Sequence, residues 1–157
     1  MSQTLTELLN AIRDDLRALP EMRRVYDSVP DAINEYPAVV VAAPTSSSWL
    51  ASHGRADGTT AIHSEYIIRV EVHIPLKDVA ANYLAMNDLS EAAKLMLYSG
   101  FVRDRYSGTM ITTATPQTGG GSTPALRADV SPSQWAGQDT LAALIDFRMT
   151  MEQELTP

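Results

Sequence analysis

His63, Glu65, Glu71 and His73 fall on one side of a run of alternating residues, and imidazoles with carboxylates are donors for a divalent metal. On a strand, His63 and Glu65 would stand about 6–7 Å apart at Cα, near enough to share an ion. A metal site needs a third and fourth donor, and the spacing nominates none. Polar side chains on a wet strand face need no ligand, so the four are read as a solvated or subunit-facing surface, with no metal expected. Ser46, Ser47 and Ser48 precede His53, but neither a nucleophile elbow nor an orienting acid accompanies them. Gly119, Gly120 and Gly121 lack the Gly-Lys-Ser/Thr of a phosphate loop, and no apolar strand leads into them. Asp14, Asp15 and Asp104 read as solvated helix-end charges. No catalytic, cofactor-binding or metal residue is nominated, and the chain is expected not to be an enzyme.

The elements that carry these side chains are better defined than any site. Ile62, Ser64, Tyr66, Ile68, Val70, Val72 and Ile74 alternate with the polar set, as expected of a strand with one buried and one wet face. At about 3.3 Å per residue this strand is roughly twice the ordinary length, and a strand that outruns its core presents something beyond it. Leu5, Leu8, Leu9, Ile12, Leu16 and Leu19 recur at three-and-four spacing, which predicts an amphipathic helix; Thr4 with Glu7 matches a capping box, and Pro20 marks the end. Between Met22 and Pro37 any strand is short and bounded by prolines. Ala38 to Ala43 reads as a strand buried on both faces, central in the sheet and stopped by Pro44. Residues 45–60 are expected to be a long loop in which Trp49 and Leu50 dock on a partner.

Asp78 is the expected cap of a second helix running to about Tyr98, with Gly100 in the left-handed position after its end. Tyr106 to Ala114 suits a strand with a bulge at Gly108. Residues 115–139 read as a second irregular excursion, containing Trp135. A last strand from Thr140 to about Glu152 sets Leu141, Ala143, Ile145, Phe147, Met149 and Met151 against Asp146, Arg148 and Thr150. Its length matches the first long strand, and the two are expected to be antiparallel neighbours. The predicted fold class is α+β: one domain over residues 1–157 with a mostly antiparallel sheet of long strands, covered by an N-terminal amphipathic helix and one central helix.

Composition narrows the function classes. The 157-residue chain is 45% hydrophobic, enough for an ordinary core, and contains no cysteine, which excludes disulfides and thiolate chemistry. No apolar run approaches the ~20 residues of a membrane span, and no targeting signal is evident, so a soluble protein is expected. The net charge of −7 argues against a phosphate-gripping surface.

Val29-Pro30-Asp31, Glu35-Tyr36-Pro37 leading into Ala38 to Val41, the Ile68 to Pro75 strand end and the Ala143 to Met149 strand follow one another in a distinctive order. In that order of elements, over nearly its whole length, the chain resembles the tail terminator (tail completion) proteins of long-tailed bacteriophages. The resemblance implies a structural virion protein of the tail and neck, assembled in the host cytoplasm. It would form a homo-oligomeric ring of six subunits on the head-proximal end of the tail tube, stopping tube polymerisation and providing the head-joining interface. Its partners would be the tail tube protein and a neck or head-closure protein; DNA would pass through the lumen without specific binding, no membrane would be involved and no cofactor is called for. Trp49, Leu50, His53, Arg69, Glu71, His73 and Trp135 are the candidate partner-interface residues, and charge reversal at Arg69 or Glu71 is expected to impair the ring while leaving the subunit folded. The competing readings are another neck protein, such as a head-closure or head-tail joining subunit, and a small α+β ligand-binding domain or enzyme with the two polar loops as lids.

Overall fold

Thr4 opens the first helix as its sequence pattern requires: its hydroxyl accepts from the Glu7 amide at 3.2 Å, and its own amide donates to the Glu7 carboxylate at 2.7 Å. The computed structural model describes residues 4–52, 60–103, 105–106, 109–112 and 126–155. Helix α1 spans Leu5–Arg17 and buries Leu8, Ile12 and Leu16 completely. Strands β1 (Arg24–Val25), β2 (Ala38–Ser52) and β3 (Thr60–Pro75) precede helix α2 (Val79–Val102), and β4 (Thr109–Thr112), β5 (Ala128–Trp135) and β6 (Gln138–Leu155) follow it. They form a six-stranded sheet ordered β1-β2-β3-β6, with β4 and β5 both on the far side of β6. Only β1 with β2 is parallel, so the fold is α+β with a mostly antiparallel sheet, as the sequence predicts.

The expected pairing of the two long strands is present in full. Every residue of β3 from Thr60 to Pro75 faces one of β6, with Ile68 opposite Phe147 and Val72 opposite Ala143. Helices α1 and α2 lie on one face of the sheet, α1 over β1 and β2 and α2 over β3 and β6. Val39, Val41, Ile68, Val70, Val72, Ile145 and Phe147 point at them and are fully buried. Each such side chain contributes about 1.5–3 kcal/mol on leaving water.

The strands outrun the helices. The 16 residues of β3 reach about 53 Å at 3.3 Å each. The 24 residues of α2 reach only about 36 Å. Beyond the Phe147 row, β2 continues from Thr45 to Ser52, β3 lies between Thr60 and Ile67, and β6 runs from Arg148 to Leu155, giving an arm of three long strands flanked at its base by β4, which pairs with Arg148 to Met151.

Four expectations need correction. Residues 45–52 are strand, not loop, because Pro44 sits where β2 gains one residue on β3: Ala42 faces Arg69, and Thr45 faces Ile67. A bulge tolerates proline, since the residue there need not donate to the ladder. Strand β2 is also not central: β1 covers only Ala38 and Val39, so the rest of β2 is an edge. Helix α2 does not stop before Gly100 but passes through it to Val102. The glycine is needed for space, since a Cβ there would lie 2.5 Å from the Tyr106 hydroxyl oxygen.

The fourth correction concerns 126–139, which is mostly a β5–β6 hairpin rather than an irregular excursion; residues 113–125 lie outside the described residues. Its two-residue turn, Ala136-Gly137, has both φ angles positive, at 50° and 82°. That is the backbone of a turn matching strand twist, which favours asparagine before glycine. Ala136→Asn is therefore expected to raise stability by up to about 1 kcal/mol, read as a melting temperature about 2–4 °C higher. An unchanged or lower value would contradict the strain at Ala136.

Candidate assembly surface

The sheet face turned away from the helices is closed at one end and open at the other. At the closed end Ala38, Val40, His73 and Ala142 are buried without joining the helix-side core. The segment between β1 and β2 covers them: the Trp135 indole donates to the Pro30 carbonyl at 3.1 Å, and the Tyr36 hydroxyl donates to the Gln138 side chain at 3.1 Å. Ile33, in the same segment, is buried as well. Beneath it the His73 ring meets Trp135 edge-on at 5.3 Å, its Nδ1 lies 3.0 Å from the Thr140 hydroxyl, and its Nε2 lies 3.6 Å from the Glu71 carboxylate.

One interface candidate is thereby corrected, and a second has its polar atom engaged within the subunit. His73 is 0% exposed and cannot meet a partner. Trp135 is a half-buried clasp, because its N–H is already spent on Pro30. Alternation put His73 on a wet surface, and the composition of 115–139 put Trp135 in a loop; Ile33 and Tyr36 were the signal that a segment must cover something.

At the open end the face carries Ile67, Arg69, Leu144, Asp146 and Arg148, all half-exposed. Arg69 faces Asp146 across the β3–β6 ladder in a two-pronged pair, Nε and Nη2 each donating to a carboxylate oxygen at 2.9 Å. Those hydrogen bonds raise the Arg69 pKa against the partial desolvation that lowers it. Arg148 reaches Glu65 only at 3.7 Å, and its Nε is buried without a hydrogen-bond partner. Further out, Trp49 is 46% exposed and tilts against His63, with ring centroids 5.8 Å apart. Glu71 is held beside His73, Leu50 pairs with Ile62 through its backbone, and its side chain, like all of His53, lies outside the described residues. The structure thus brings Trp49, Arg69 and the arm onto one open face and separates His73 and Trp135 from it.

Sequence reasoning missed two buried polar groups on α1. Arg13 is buried and donates from Nη2 to the Val41 carbonyl at 2.8 Å, just before the β2 bulge; burial lowers its pKa. Asp15 was expected in solvent but is buried, taking the Tyr106 hydroxyl at 2.8 Å and an ion pair from Arg105. It ties α1 to the segment after α2. Burial, followed by the Asp15 hydrogen bond, drives the Tyr106 pKa far above its usual value of about 10.

Because the folded pKa is the higher one, this stabilisation is complete below pH 10 and declines as pH rises above it. Tyr106→Phe is expected to lose about 1–2 kcal/mol near neutrality and to flatten the alkaline fall in stability. Denaturant midpoints at neutral pH and above pH 10 check both; an identical alkaline slope in the variant would count against the bond.

Among the described residues no group of three or more His, Asp or Glu is placed to hold a metal ion. No helix among them is long and apolar enough to cross a membrane. The described residues form an arm of long strands, a charged open sheet face and an exposed indole. Compared with protein families and with curated proteins, the chain matches none.

Proposed function

We propose that the chain is a phage tail terminator: a virion subunit that assembles into a ring on the head-proximal end of the tail tube, stops tube growth and offers the surface that the head joins. The observation that carries this reading is the sheet outrunning its helices. Strands of 15, 16 and 18 residues form an arm with no helical layer to match their length. Such an arm has few uses inside a monomer and an evident one between subunits. Among the described residues no strand pairs with the outer edge of β2 beyond Val39; Arg13 takes the Val41 carbonyl there, and past the bulge at Pro44 that edge is available for main-chain pairing. The net charge of −7 suits a ring through which DNA must slide without being gripped.

The role is a structural one, without catalysis or cofactor, in the tail and neck of the virion. A direct test adds the purified chain to polymerising tube protein from the same genome and follows length by electron microscopy. Tubes that stop growing, with a ring at one end, are expected. Elongation unaffected by the chain would overturn the proposal.

A further inference from the structure

We infer that a second copy of this chain joins the arm edge to edge, laying its β2 antiparallel along the outer side of β4, so that one sheet runs from subunit to subunit. The inference names the contact between neighbours in the ring proposed above and rests on that reading.

Sheets guard their edges with charges, prolines, bulges and covering segments. In this sheet the guards stop at one level on both sides. On the β2 side, β1 covers Ala38 and Val39, Arg13 takes the Val41 carbonyl, and the bulge at Pro44 follows the row of Ala42, Arg69 and Asp146. On the other side, exposed Asp129 and Pro132 stand in β5, whose last row sets Ala128 against Ile145. From the Arg148 row outward neither edge is guarded. Thr45, Ser46, Ser47, Ser48 and Trp49 of β2 are exposed, β4 reads Thr109-Met110-Ile111-Thr112, and neither run holds a charge or a proline. Among the described residues no strand lies on the outer side of either. Unpaired main-chain donors and acceptors of an edge are met by another strand.

The two bare edges match each other. Counted across β3 and β6, Thr45 and Thr112 share the Arg148 row, and Ser48 and Thr109 share the Met151 row. Three successive antiparallel pairings make β2 and β4 run in opposite directions. A copy related by rotation about an axis along the strands therefore brings β2 to β4 in the antiparallel sense, at the same level and with each face of the sheet preserved. Thr45 then opposes Thr112, Ser46 opposes Ile111, Ser47 opposes Met110 and Ser48 opposes Thr109. No charge meets its like, and hydroxyl pairs of this kind hydrogen-bond across strands. Uncharged strands are also where two copies of a chain of net charge −7 can meet with least repulsion. Pairing β2 with β2 about a two-fold axis would leave β4 bare, whereas joining β2 to β4 covers both edges. Such a head-to-tail contact closes into a ring when the rotation allows.

The chain has no cysteine, so thiols can be placed at will. Two double variants, Ser47→Cys with Met110→Cys and Thr45→Cys with Thr112→Cys, are oxidised at high concentration. Within one subunit the two thiols of each variant lie three strand spacings apart, about 14 Å, too far for a disulfide. Any bond between them therefore joins two copies. At least one of the two variants is expected to give a ladder of dimers, trimers and higher species. Linking should run at least about tenfold faster than in a Glu21→Cys, Glu35→Cys control, because the contact raises the effective concentration of the thiols. The four single variants should link no faster than the control. Both double variants at the control rate, or Thr45→Cys or Ser47→Cys alone dimerising as fast as the doubles, overturns the inference. Melting curves of each variant confirm that the subunit is folded. Neither tube nor head is present in this experiment, so its failure leaves the terminator reading to be judged by tube growth.

Discussion

Phe147→Ala is expected to lower stability by about 3–5 kcal/mol, the loss that follows when a large aromatic ring is cut from a packed core. Phe147 is fully buried on the helix side of β6, one same-face position before Met149, where the core runs into the arm. Its ring meets Phe101 of α2 edge-on at 5.8 Å, and Phe101 meets Tyr106 edge-on at 4.8 Å. Tyr106 in turn lies over Gly100 and holds Asp15 of α1. One aromatic stack therefore joins β6, α2 and α1, and truncation leaves a cavity that three elements must collapse to fill. Natural domains hold only about 5–15 kcal/mol in reserve, so the variant should be marginal at growth temperature. Urea unfolding with unchanged slope and a strongly lowered midpoint is the expected record. Phe147→Leu, which keeps most of the volume, should lose about 1–2 kcal/mol. Equal losses in the two variants would contradict a packed aromatic stack.

Arg69→Glu is expected to cost the subunit itself about 2–3 kcal/mol, before any effect on assembly. The sequence suggested that reversing this charge would spare the fold, because Arg69 lies on the polar side of β3. The structure places it in a two-pronged pair with Asp146, partly shielded from water, with Glu71 two residues along the same face. Reversal removes both hydrogen bonds and sets a carboxylate against Asp146 directly across the ladder, where like charges repel most. The exchanged pair Arg69→Asp with Asp146→Arg should recover about half of the loss or more, since a cross-strand pair works in either orientation. A double variant no more stable than the sum of the singles would show that the pair contributes nothing. Arg69 is thus a poor probe of assembly.

What the sequence revealed follows from what each signal measures. Period-two and three-and-four spacing report burial against one neighbouring layer, so α1 with its capping box, β3, β6 and their antiparallel pairing could all be read in advance. Pro44 was read as a stop because local chemistry says that proline lacks a donor; only register with β3 reveals the bulge that accommodates it. The β5–β6 turn was hidden because Ala136-Gly137 is a weak version of the asparagine-glycine signal. His73 and Asp15 were assigned to water because polar residues are mostly exposed, whereas their burial depends on Trp135, Tyr106 and Arg105, which lie far away in sequence. Of the candidate surface, Trp49 and Arg69 were found from sequence. Leu84 and Leu95 of α2 look like core in the sequence but are exposed, because the sheet occupies the other side of the helix.

The central claim is that this chain ends a tail tube and joins it to a head. Electron microscopy of lysates from the parent phage genome with this gene interrupted tests it most directly. Filled heads without tails, beside free tubes longer than those of the intact phage, are the expected result, with normal particles restored by the chain supplied in trans. Joined particles of normal tail length in the absence of the chain would contradict the account.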